Sequence, residues 1–412
     1  MPRFYRGRII AAMQTRNHDI VIVGGGLVGA SLAIALDGSG LDVAMVEAAP
    51  ASALPAVFDE RNLSFSETTC HALEALGIWS KLSAAAPIRR IHASRSGDFG
   101  RVVLDAAEVG RSAFGHVVVA RDFGEALEAR LSDVANLVRH RPARFESTEL
   151  GETGRVVRVM GESGPMELHA RLLVGADGMD SAVRQALGIA ASRHDYRQAL
   201  FVCRVRTSRA PDGTAWERLG PNGPTALLPR TDRHYGVVHG VSVDEADAVA
   251  ALPEAAWLER LQSAFGWRAG RFLASGARSR YPALRVVAER VDAPRAVLLG
   301  NAAQSIHPVG AQGFNLGLRD ALTLVEEIAD AGLDAPDLSA RHARRRREDR
   351  ERTLAFSDGL ARASANELLP MRWLRSAGMG ALANLPGLRA EFAAGGMGYR
   401  GDLPALCRGA AR

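Results

Sequence analysis

Residues 300–308 read GNAAQSIHP, and residues 312–320 read QGFNLGLRD. The apolar run at residues 296–299 is typical of a buried parallel strand, and residues 321–329 have the pattern of a helix. A strand that stops at glycine before a helix start presents free backbone N–H groups beside the positive end of the helix. The stretch is therefore a candidate site for a phosphate or an electron-rich ring.

A second glycine turn lies near the N-terminus. Residues 19–31 read DIVIVGGGLVGAS, an apolar strand followed by Gly24, Gly26 and Gly29 in the G-x-G-x-x-G spacing. Gly24 suits the tight turn, Gly26 the approach of a pyrophosphate, and Gly29 the close approach of a helix at residues 27–36. The next apolar strand ends at Glu47, which is placed to accept hydrogen bonds from ribose hydroxyls. The pattern predicts a bound dinucleotide, and the alternative is a glycine-rich structural turn.

A third turn, at residues 172–181, reads LLVGADGMDS and precedes a short helix at residues 182–187. Taken alone, it would suit an ordinary strand, turn and helix with Ser181 as the N-cap. It gains significance only beside the other two turns.

Together the three turns resemble the fingerprints of the single-component FAD-dependent aromatic hydroxylases, the class A flavoprotein family that includes p-hydroxybenzoate hydroxylase. The resemblance runs from about Asp19 to Asp330. It is strongest to the subgroup of ubiquinone-biosynthesis hydroxylases, which residues 58–66, FDERNLSFS, and residues 223–229, GPTALLP, also resemble. Two motifs depart from the pattern. The family usually has Gly-Asp where this chain has Gly300-Asn301, and the subgroup commonly has Ala-Gly-Gln-Gly where this chain has Gly310-Ala311-Gln312-Gly313.

The resemblance implies a set of site residues. The residues expected to bind the cofactor are Gly24, Gly26, Gly29, Glu47, Arg61, Arg121, Asp177, Gly178, Gly300, Asn301, Gln312, Gly313 and Asn315. Arg61 and His307 are the catalytic candidates, and no residue is expected to bind a metal. A salt bridge at a helix start is the alternative for Arg121, and a structural role is the alternative for His307.

The resemblance also implies a reaction. NAD(P)H would reduce FAD, oxygen would add to give a flavin hydroperoxide, and the distal oxygen would pass to the aromatic ring of a polyprenylated phenol in ubiquinone biosynthesis. NADH or NADPH and O2 are the expected co-substrates. The alternatives are a hydroxylase of another ubiquinone step or another aromatic substrate, a flavin oxidase or dehydrogenase, and a non-enzymatic flavoprotein subunit of a ubiquinone-synthesis assembly. Contact with other ubiquinone-biosynthesis proteins and homo-oligomer formation are left open.

At 412 residues the chain exceeds the size of a single core, so we expect more than one domain. We expect an α/β fold in which a Rossmann-like FAD-binding domain is discontinuous, over residues 17–88, 117–189 and 284–335. A mixed-sheet substrate domain would occupy residues 89–116 and 190–283, and a C-terminal helical region residues 336–412. Apolar side chains of the second domain suit either a substrate pocket or the core of the sheet: Phe201, Trp216, Leu227 and Tyr235.

Composition narrows the function classes. The net charge of +5 comes from arginine, because Lys81 is the only lysine, and no nucleic-acid motif accompanies it. The three cysteines form no C-x-x-C pair, which favours a reducing cytoplasm over a disulfide framework or a metal site. Residues 1–17 lack the apolar core and cleavage site of a signal peptide, and no apolar run reaches the roughly 18 residues that a membrane span needs.

The C-terminal region has two distinct stretches. The charge-rich residues 342–352 predict a helix with a solvated, salt-bridged face. Residues 368–388 mix apolar side chains with Arg372 and Arg375, a pattern that suits either a lipid interface or a helix packed on protein. The expected location is therefore the cytoplasm, with peripheral attachment to the inner membrane left open.

Overall fold

The computed structural model describes residues 14–409, so most of the segment predicted not to be a signal peptide lies outside the described residues. The strands, in chain order, are β1 Gln14–Val23, β2 Val43–Val46, β3 Asn62–Ser66, β4 Ala86–Pro87, β5 Arg90–Arg95, β6 Arg101–Asp105, β7 Gly115–Val119, β8 Leu137–His140, β9 Ala143–Leu150, β10 Arg155–Gly161, β11 Gly164–Gly175, β12 Ala191–Thr207, β13 Thr214–Leu219, β14 Thr225–Pro229, β15 Tyr235–Ser242, β16 Phe272–Ser275, β17 Ser279–Ala288, β18 Asp292–Ala293, β19 Ala296–Leu298 and β20 Gln304–Ser305. The α-helices are α1 Leu27–Ala35, α2 Glu67–Ala75, α3 Ala120–Leu131, α4 Ala182–Ala186, α5 Ala246–Ala250, α6 Glu254–Phe265, α7 Gly313–Ala331, α8 Leu338–Ala365, α9 Leu369–Asn384 and α10 Pro386–Gly396.

The first sheet has eight strands, in the order β18-β19-β11-β1-β2-β8, with β10 and β9 continuing from β11. Strands β19, β11, β1, β2 and β8 are parallel to one another. Strands β18 and β10 pair with this parallel set in antiparallel fashion. Ile20 and Ile22 of β1 pack into a core with α1, α3 and α7, while Val21 and Val23 pack into the core on the other face. A parallel strand that is buried on both faces needs a continuous apolar run, which explains the composition of β1.

The second sheet has nine strands, in the order β20-β17-β12-β15-β14-β13-β5-β6, with β16 paired to β12. Most neighbours are antiparallel, but β13 and β5 are parallel, so the sheet is mixed. The predicted α/β fold with a mixed second sheet is confirmed. Strand β17 runs across the expected domain boundary between residues 283 and 284, and the boundaries themselves stay a prediction.

One face of this second sheet is closed by α6. Phe201, Trp216, Leu227 and Tyr235 pack there with Trp257 and its neighbours on that helix. These four side chains therefore form sheet core, which is one of the two interpretations that the sequence allows. The opposite face contacts the segment around Asp59 and Asn62, and it contacts His307.

The charge-rich helix α8 is not solvated throughout, contrary to the sequence-based expectation. Arg346 and Asp349 are each 1% exposed. Asp349 accepts hydrogen bonds from Arg346 and from Arg319 Nε of α7, the latter at 2.7 Å, and Asp320 accepts one from Arg346 Nε at 2.7 Å. These charges are buried because α8 packs along α7, a contact that charge spacing alone does not reveal.

The last two helices cover the edge of the second sheet. Met379 and Leu382 of α9 and Ala393 of α10 pack with Val102 and Leu104 of β6. Across residues 14–409, no helix combines the length and the apolar character needed to span a bilayer.

Candidate active site

Four strands at the centre of the first sheet end in one row. Val23, Val46, Gly175 and Leu298 are paired in register across β1, β2, β11 and β19. Because these strands are parallel, the segments that follow them emerge at one edge of the sheet. Those segments are Glu47 and the three glycine turns of the sequence. Ligands of open α/β sheets bind at this carboxyl edge.

Gly24 and Gly29 are required by backbone contacts within the first turn. Gly24 has a φ of +107°, and a Cβ atom there would lie 2.4 Å from the carbonyl oxygen of Ala176. A Cβ atom on Gly29 would lie 1.9 Å from the carbonyl oxygen of Gly24. Any larger residue at either position would displace backbone, so both glycines serve the turn and the approach of α1 to β1.

Gly26 is different, because the protein itself does not require glycine there. It is the N-cap of α1, and the nearest atom to a Cβ on it would be Val57 Cγ1, at 3.7 Å. The first backbone N–H groups of a helix have no intrahelical partner. An open approach to such groups is the geometry of a pyrophosphate site.

Glu47 is oriented beside the same turn by backbone contacts. Its Oε2 accepts a hydrogen bond from Gly25 N–H at 2.7 Å, and its Oε1 accepts one from Ala49 N–H at 2.7 Å. A carboxylate oxygen has two lone pairs, so each can accept a further hydrogen bond. Glu47 can therefore still receive a ribose hydroxyl.

Asp177 and Gly178 follow β11. Asp177 accepts hydrogen bonds from the Ser181 hydroxyl and from Val183 N–H, the latter at 3.0 Å, and Ser181 caps α4. The structural alternative for this turn is thus present. Gly178 has a φ of +89°, and its Cβ position has no neighbour within 4 Å, so its backbone is open to a ligand. The cofactor role of both residues stays a prediction.

Gly300 lies where the turn after β19 meets α1 and α7. It has a φ of +56°, and a Cβ atom on it would lie 2.9 Å from Val28 Cγ2. A Cβ atom on Gly317 of α7 would meet the same Val28 atom at 2.7 Å. Asn301 is exposed. The glycines bring the helices onto the sheet, and Asn301 is available to a ligand.

The turn before α7 carries the altered motif. Gly310 has a φ of +74° and Ala311 a φ of +50°, so a residue with a Cβ occupies the left-handed region next to a glycine. Gln312 donates from Nε2 to the Gly310 carbonyl at 3.1 Å. Its Oε1 is buried and lacks a hydrogen-bond partner in the described part of the chain.

Asn315 ties this turn to β3. Its Nδ2 donates to the carbonyls of Ser64 and Ala311, at 3.0 and 2.8 Å, and its Oδ1 accepts from Ser66 N–H at 3.0 Å. Because the side chain is engaged by protein, a cofactor contact here is left to the backbone. The N–H groups from Gly313 to Asn315 belong to the first turn of α7 and have no intrahelical partner.

Arg61 links the segment before β3 to the second sheet. Its Nε and Nη2 donate to the two carboxylate oxygens of Asp59, each at 2.8 Å, and its guanidinium lies 4.4 Å from the ring centroid of Tyr281 on β17. The Tyr281 hydroxyl also donates to Asp59. Burial opposes charge at both groups, but the Arg61–Asp59 contact outweighs it: it raises the pKa of Arg61 and lowers that of Asp59. The pair therefore stays ionised around neutral pH.

Arg121 begins α3 and forms an ion pair with Glu60 at 2.6 Å, with both side chains about half exposed. This is the helix-start salt bridge that the sequence left as the alternative. Its backbone N–H donates to the carbonyl of Asp59 at 2.9 Å, which places it beside Arg61. A cofactor role for Arg121 stays a prediction.

His307 is 2% exposed and fully hydrogen-bonded. Its Nδ1 accepts from Val309 N–H at 3.2 Å, so Nε2 carries the proton and donates to Gln198 Oε1 at 3.1 Å. Burial lowers the pKa of His307 to about 4, against a small opposing effect of Asp358. The neutral imidazole joins the segment after β20 to β12, and a catalytic role stays a prediction.

Two features of this site fit FAD. The open approach at Gly26 leaves room for the pyrophosphate, and the unpaired Oε1 of Gln312 at the start of α7 can accept a hydrogen bond from a bound group. The sequence analysis did not identify Asp59, Tyr281 or Gln198 as site residues. Tyr281 and Gln198 belong to strands of the second sheet, and Asp59 accepts hydrogen bonds from Arg61 and Tyr281. Polar residues at inward positions of apolar strands were the available signal.

A parallel sheet with dinucleotide turns at its carboxyl edge, together with a mixed second sheet, defines an α/β flavoprotein. A family model described as an FAD binding domain matches residues 17–354. The chain belongs to this family, and FAD is its cofactor, as predicted.

Two relatives align over most of their length. The ubiquinone hydroxylase UbiL of Rhodospirillum rubrum is 32% identical over 401 residues, which cover 95% of this chain and 92% of that protein. The 3-demethoxyubiquinol 3-hydroxylase of Escherichia coli is 30% identical over 392 residues, covering 89% and 95%. Among solved structures, the p-nitrophenol 4-monooxygenase PnpA of Pseudomonas putida shares the fold, with a TM-score of 0.76 at 19% identity over 97% of this chain and all of that one. The resemblance to the ubiquinone-biosynthesis hydroxylases is confirmed.

Proposed function

We propose that this protein is an FAD-dependent monooxygenase that hydroxylates the aromatic ring of a polyprenylated phenol in ubiquinone biosynthesis. NADH or NADPH would be the reductant and O2 the oxygen donor. The observation that carries the proposal is the convergence of the dinucleotide turns at one sheet edge, directly against a second sheet that reaches them through Tyr281 and Gln198. The aligned relatives named as ubiquinone hydroxylases support the substrate class.

The role of the chain's own residues is to bind and orient FAD. Gly26 and Glu47 hold the ADP portion, and the first-turn N–H groups of α7 stabilise negative charge on the ring system. Asp59, Arg61 and Tyr281 keep the second sheet in place over the site. FAD, when bound, supplies the redox chemistry that activates O2.

The test begins with the purified protein, which we expect to be yellow, with one FAD per chain that denaturation releases. NAD(P)H consumption should rise with a prenylated phenol, and the product should gain one oxygen atom from labelled O2. Oxygen consumption with hydrogen peroxide and no hydroxylated product would indicate an oxidase. Bound FAD without NAD(P)H consumption would indicate a non-enzymatic subunit. The phenol that accumulates in a deletion strain names the biosynthetic step.

Peripheral membrane attachment is part of the same proposal, because a polyprenyl tail keeps the substrate in the bilayer. Leu368, Leu369, Trp373 and Leu374 at the start of α9 are 64–76% exposed. Phe99, 88% exposed, lies in the β5–β6 turn that contacts α9. Adjacent exposed apolar side chains of this kind suit a lipid interface.

The two arginines of this stretch bind protein groups and do not serve as contacts for lipid headgroups, the role that the sequence pattern suggested. Arg375 donates to Asp98 at 2.6 Å and to backbone carbonyls, and Arg372 contacts Asp98 and the Gly97 carbonyl. Both tie α9 to the β5–β6 turn. Leu382, also expected at the lipid, packs into the core beside β6. The membrane proposal therefore rests on the exposed apolar side chains.

A further inference from the structure

Glu217 lies in the middle of β13 and has no hydrogen-bond partner for its buried oxygen. Within the described residues, Oε1 is inaccessible to solvent and unpaired. The residues paired with Glu217 on the two adjacent strands are Ala93 and Ala226, which offer no polar side chain. A buried carboxyl oxygen without a partner is rare in folded proteins and calls for an explanation.

Strand register places Glu217 on the face of the second sheet that is opposite to α6. Directly paired residues share a face, and so do residues two apart along a strand. The row runs from Glu217 through Ala226 and Val238 to Val202. Its neighbour Trp216 points the other way, into the core with α6.

Three other residues of that same face touch segments of the candidate site. Tyr281 donates to Asp59, and Gln198 accepts from His307. The Asn62 side chain lies against Gly236, and a Cβ atom on Gly236 would lie 1.6 Å from Asn62 Nδ2. Only glycine therefore fits at this position. Glu217 therefore shares a sheet face with the residues that contact the candidate site, and this face is opposite to the one closed by α6.

The ionisable groups on the elements around this face are engaged with other residues. The pairs are Arg95 with Asp98 and Glu367, Arg230 with Asp232, Arg61 with Asp59, Glu67 with Arg111 and Tyr399, His307 with Gln198, and His116 with Cys70. None of them contributes to the protonation of Glu217. Burial alone raises the pKa of Glu217 to about 7.

We propose that Glu217 is the general base that receives the hydroxyl proton of the phenol substrate, an inference that rests on the proposed function. The phenol O–H bond breaks, a new O–H bond forms on the Glu217 carboxylate, and the electron pair stays on the phenol oxygen. That charge raises the electron density at the ring carbons ortho and para to it, where the incoming oxygen attaches. When the hydroxylated ring regains its aromaticity, its C–H bond breaks, the ring proton leaves and the phenol oxygen is protonated again, while the proton held by Glu217 passes into the water formed from the second oxygen atom of O2. The proton transfer to Glu217 is itself neither an oxidation nor a reduction, and NAD(P)H supplies the electrons of the overall reaction.

The energetics suit this role. A general base works best when its pKa lies near the operating pH, and burial has moved this carboxyl there. If the only role of the Glu217 side chain were packing between Ala93 and Ala226, an apolar side chain would serve as well as a carboxyl group.

The test uses holoenzyme carrying Glu217→Gln, which keeps the side-chain volume and loses the base. We expect normal FAD content and normal substrate affinity, measured by the change in flavin absorbance on binding. The rate of hydroxylation should fall by about 10²–10⁴-fold. The wild-type rate should rise with pH through about 7 as Glu217 loses its proton, and the variant should lose that inflection. A fluorinated phenol, which is more acidic, should restore part of the variant's rate.

Glu259→Gln, at an exposed position of α6 on the far side of the domain, is the matched control and should behave as wild type. A Glu217→Gln enzyme with wild-type rate and pH profile would overturn the inference. Should that variant not fold, the bound phenol in wild-type enzyme can be titrated directly. If no phenolate absorption appears at any pH up to the pKa of the free phenol, the inference is overturned. Failure of wild-type enzyme to hydroxylate any prenylated phenol would instead refute the proposed function.

Discussion

Gly29 approaches Gly24 so closely that a Cβ atom on Gly29 would lie 1.9 Å from the Gly24 carbonyl oxygen. This contact lies entirely within the protein. Gly26, between them in the same motif, has no such contact, since the nearest atom to its Cβ position is 3.7 Å away. The glycines of one motif therefore serve two purposes, the fold and the ligand.

Replacement should separate these purposes. Gly26→Val should leave the unfolding free energy of the apo-protein near wild type and abolish FAD binding, because the side chain occupies the space of the pyrophosphate. Gly29→Ala should instead lower the unfolding free energy by about 1–3 kcal/mol or more through overpacking. Fluorescence titration of apo-protein with FAD and urea unfolding measure the two effects. Near-normal FAD affinity of Gly26→Val would mean that the motif is only a turn.

The turn before α7 should gain stability from one substitution. The left-handed conformation of Ala311 costs about 1–2 kcal/mol, and Ala311→Gly removes this cost. Glycine also increases the entropy of the unfolded chain, which opposes the gain by about 0.4–1 kcal/mol. We expect a net gain of about 0.5–1 kcal/mol in urea unfolding. Gly310→Ala is the reciprocal variant and should destabilise, because its φ is +74° and its Cβ would lie 3.3 Å from Phe356. Equal stabilities of the two variants would contradict the assigned backbone conformations.

Replacement of Asp349 should lower the unfolding free energy more than replacement of most other charged residues. Burial would raise its pKa, but the charges of Arg319 and Arg346 lower it, so it stays ionised and neutralises both. Asp349→Asn leaves two buried guanidinium groups poorly compensated and should cost about 3–5 kcal/mol in urea unfolding. Glu348→Gln, which breaks an exposed pair with Arg352, should cost under about 1 kcal/mol. Because the pKa of Asp349 is lowered, its contribution should persist at neutral pH and disappear only as the pH falls below about 4.

His307 should make the fold sensitive to acid. Its pKa is lowered to about 4, whereas an unfolded histidine has a pKa of about 6.5. The native state thus binds fewer protons, so this contribution is fully present above pH about 6.5 and is lost as the pH falls through about 4, a change of about 3 kcal/mol. His307→Asn can still accept from Val309 N–H and cannot titrate. It should flatten the pH dependence of the unfolding free energy by that amount, and an unchanged pH dependence would argue against a buried neutral imidazole.

The exposed start of α9 should bind lipid. A Leu369→Ser/Trp373→Ser variant should bind anionic liposomes at least about tenfold more weakly, given about 1.5–3 kcal/mol for each large apolar side chain that is fully buried. FAD content should not change. Leu150→Ser, at an exposed apolar position of β9, is the matched control. Truncation after residue 366 is a poorer test because it removes the buried Met397 and Cys407. Wild-type protein that ignores liposomes at low salt would make this surface a subunit contact instead.

Much of the site could be predicted from the sequence because its requirements are local. Gly24 and Gly300 sit in left-handed backbone conformations between a strand and a helix, and such a demand is visible in a few consecutive residues. Glu47 follows from the end of the next strand. The roles of Arg121 and His307 could not be decided in this way, because their partners Glu60 and Gln198 come from other elements.

What the sequence by itself determined is the set of turns, the strands that feed them and the family to which they belong, since these depend on residue order and backbone conformation. Only the tertiary structure decided which side chains are buried and which face they share. It turned Asp349 from a predicted surface charge into a buried one, and it placed Glu217 on the sheet face opposite to that of Trp216, which packs into the core with α6. The physical reason is that burial and facing depend on contacts between elements far apart in the chain, which no local pattern encodes.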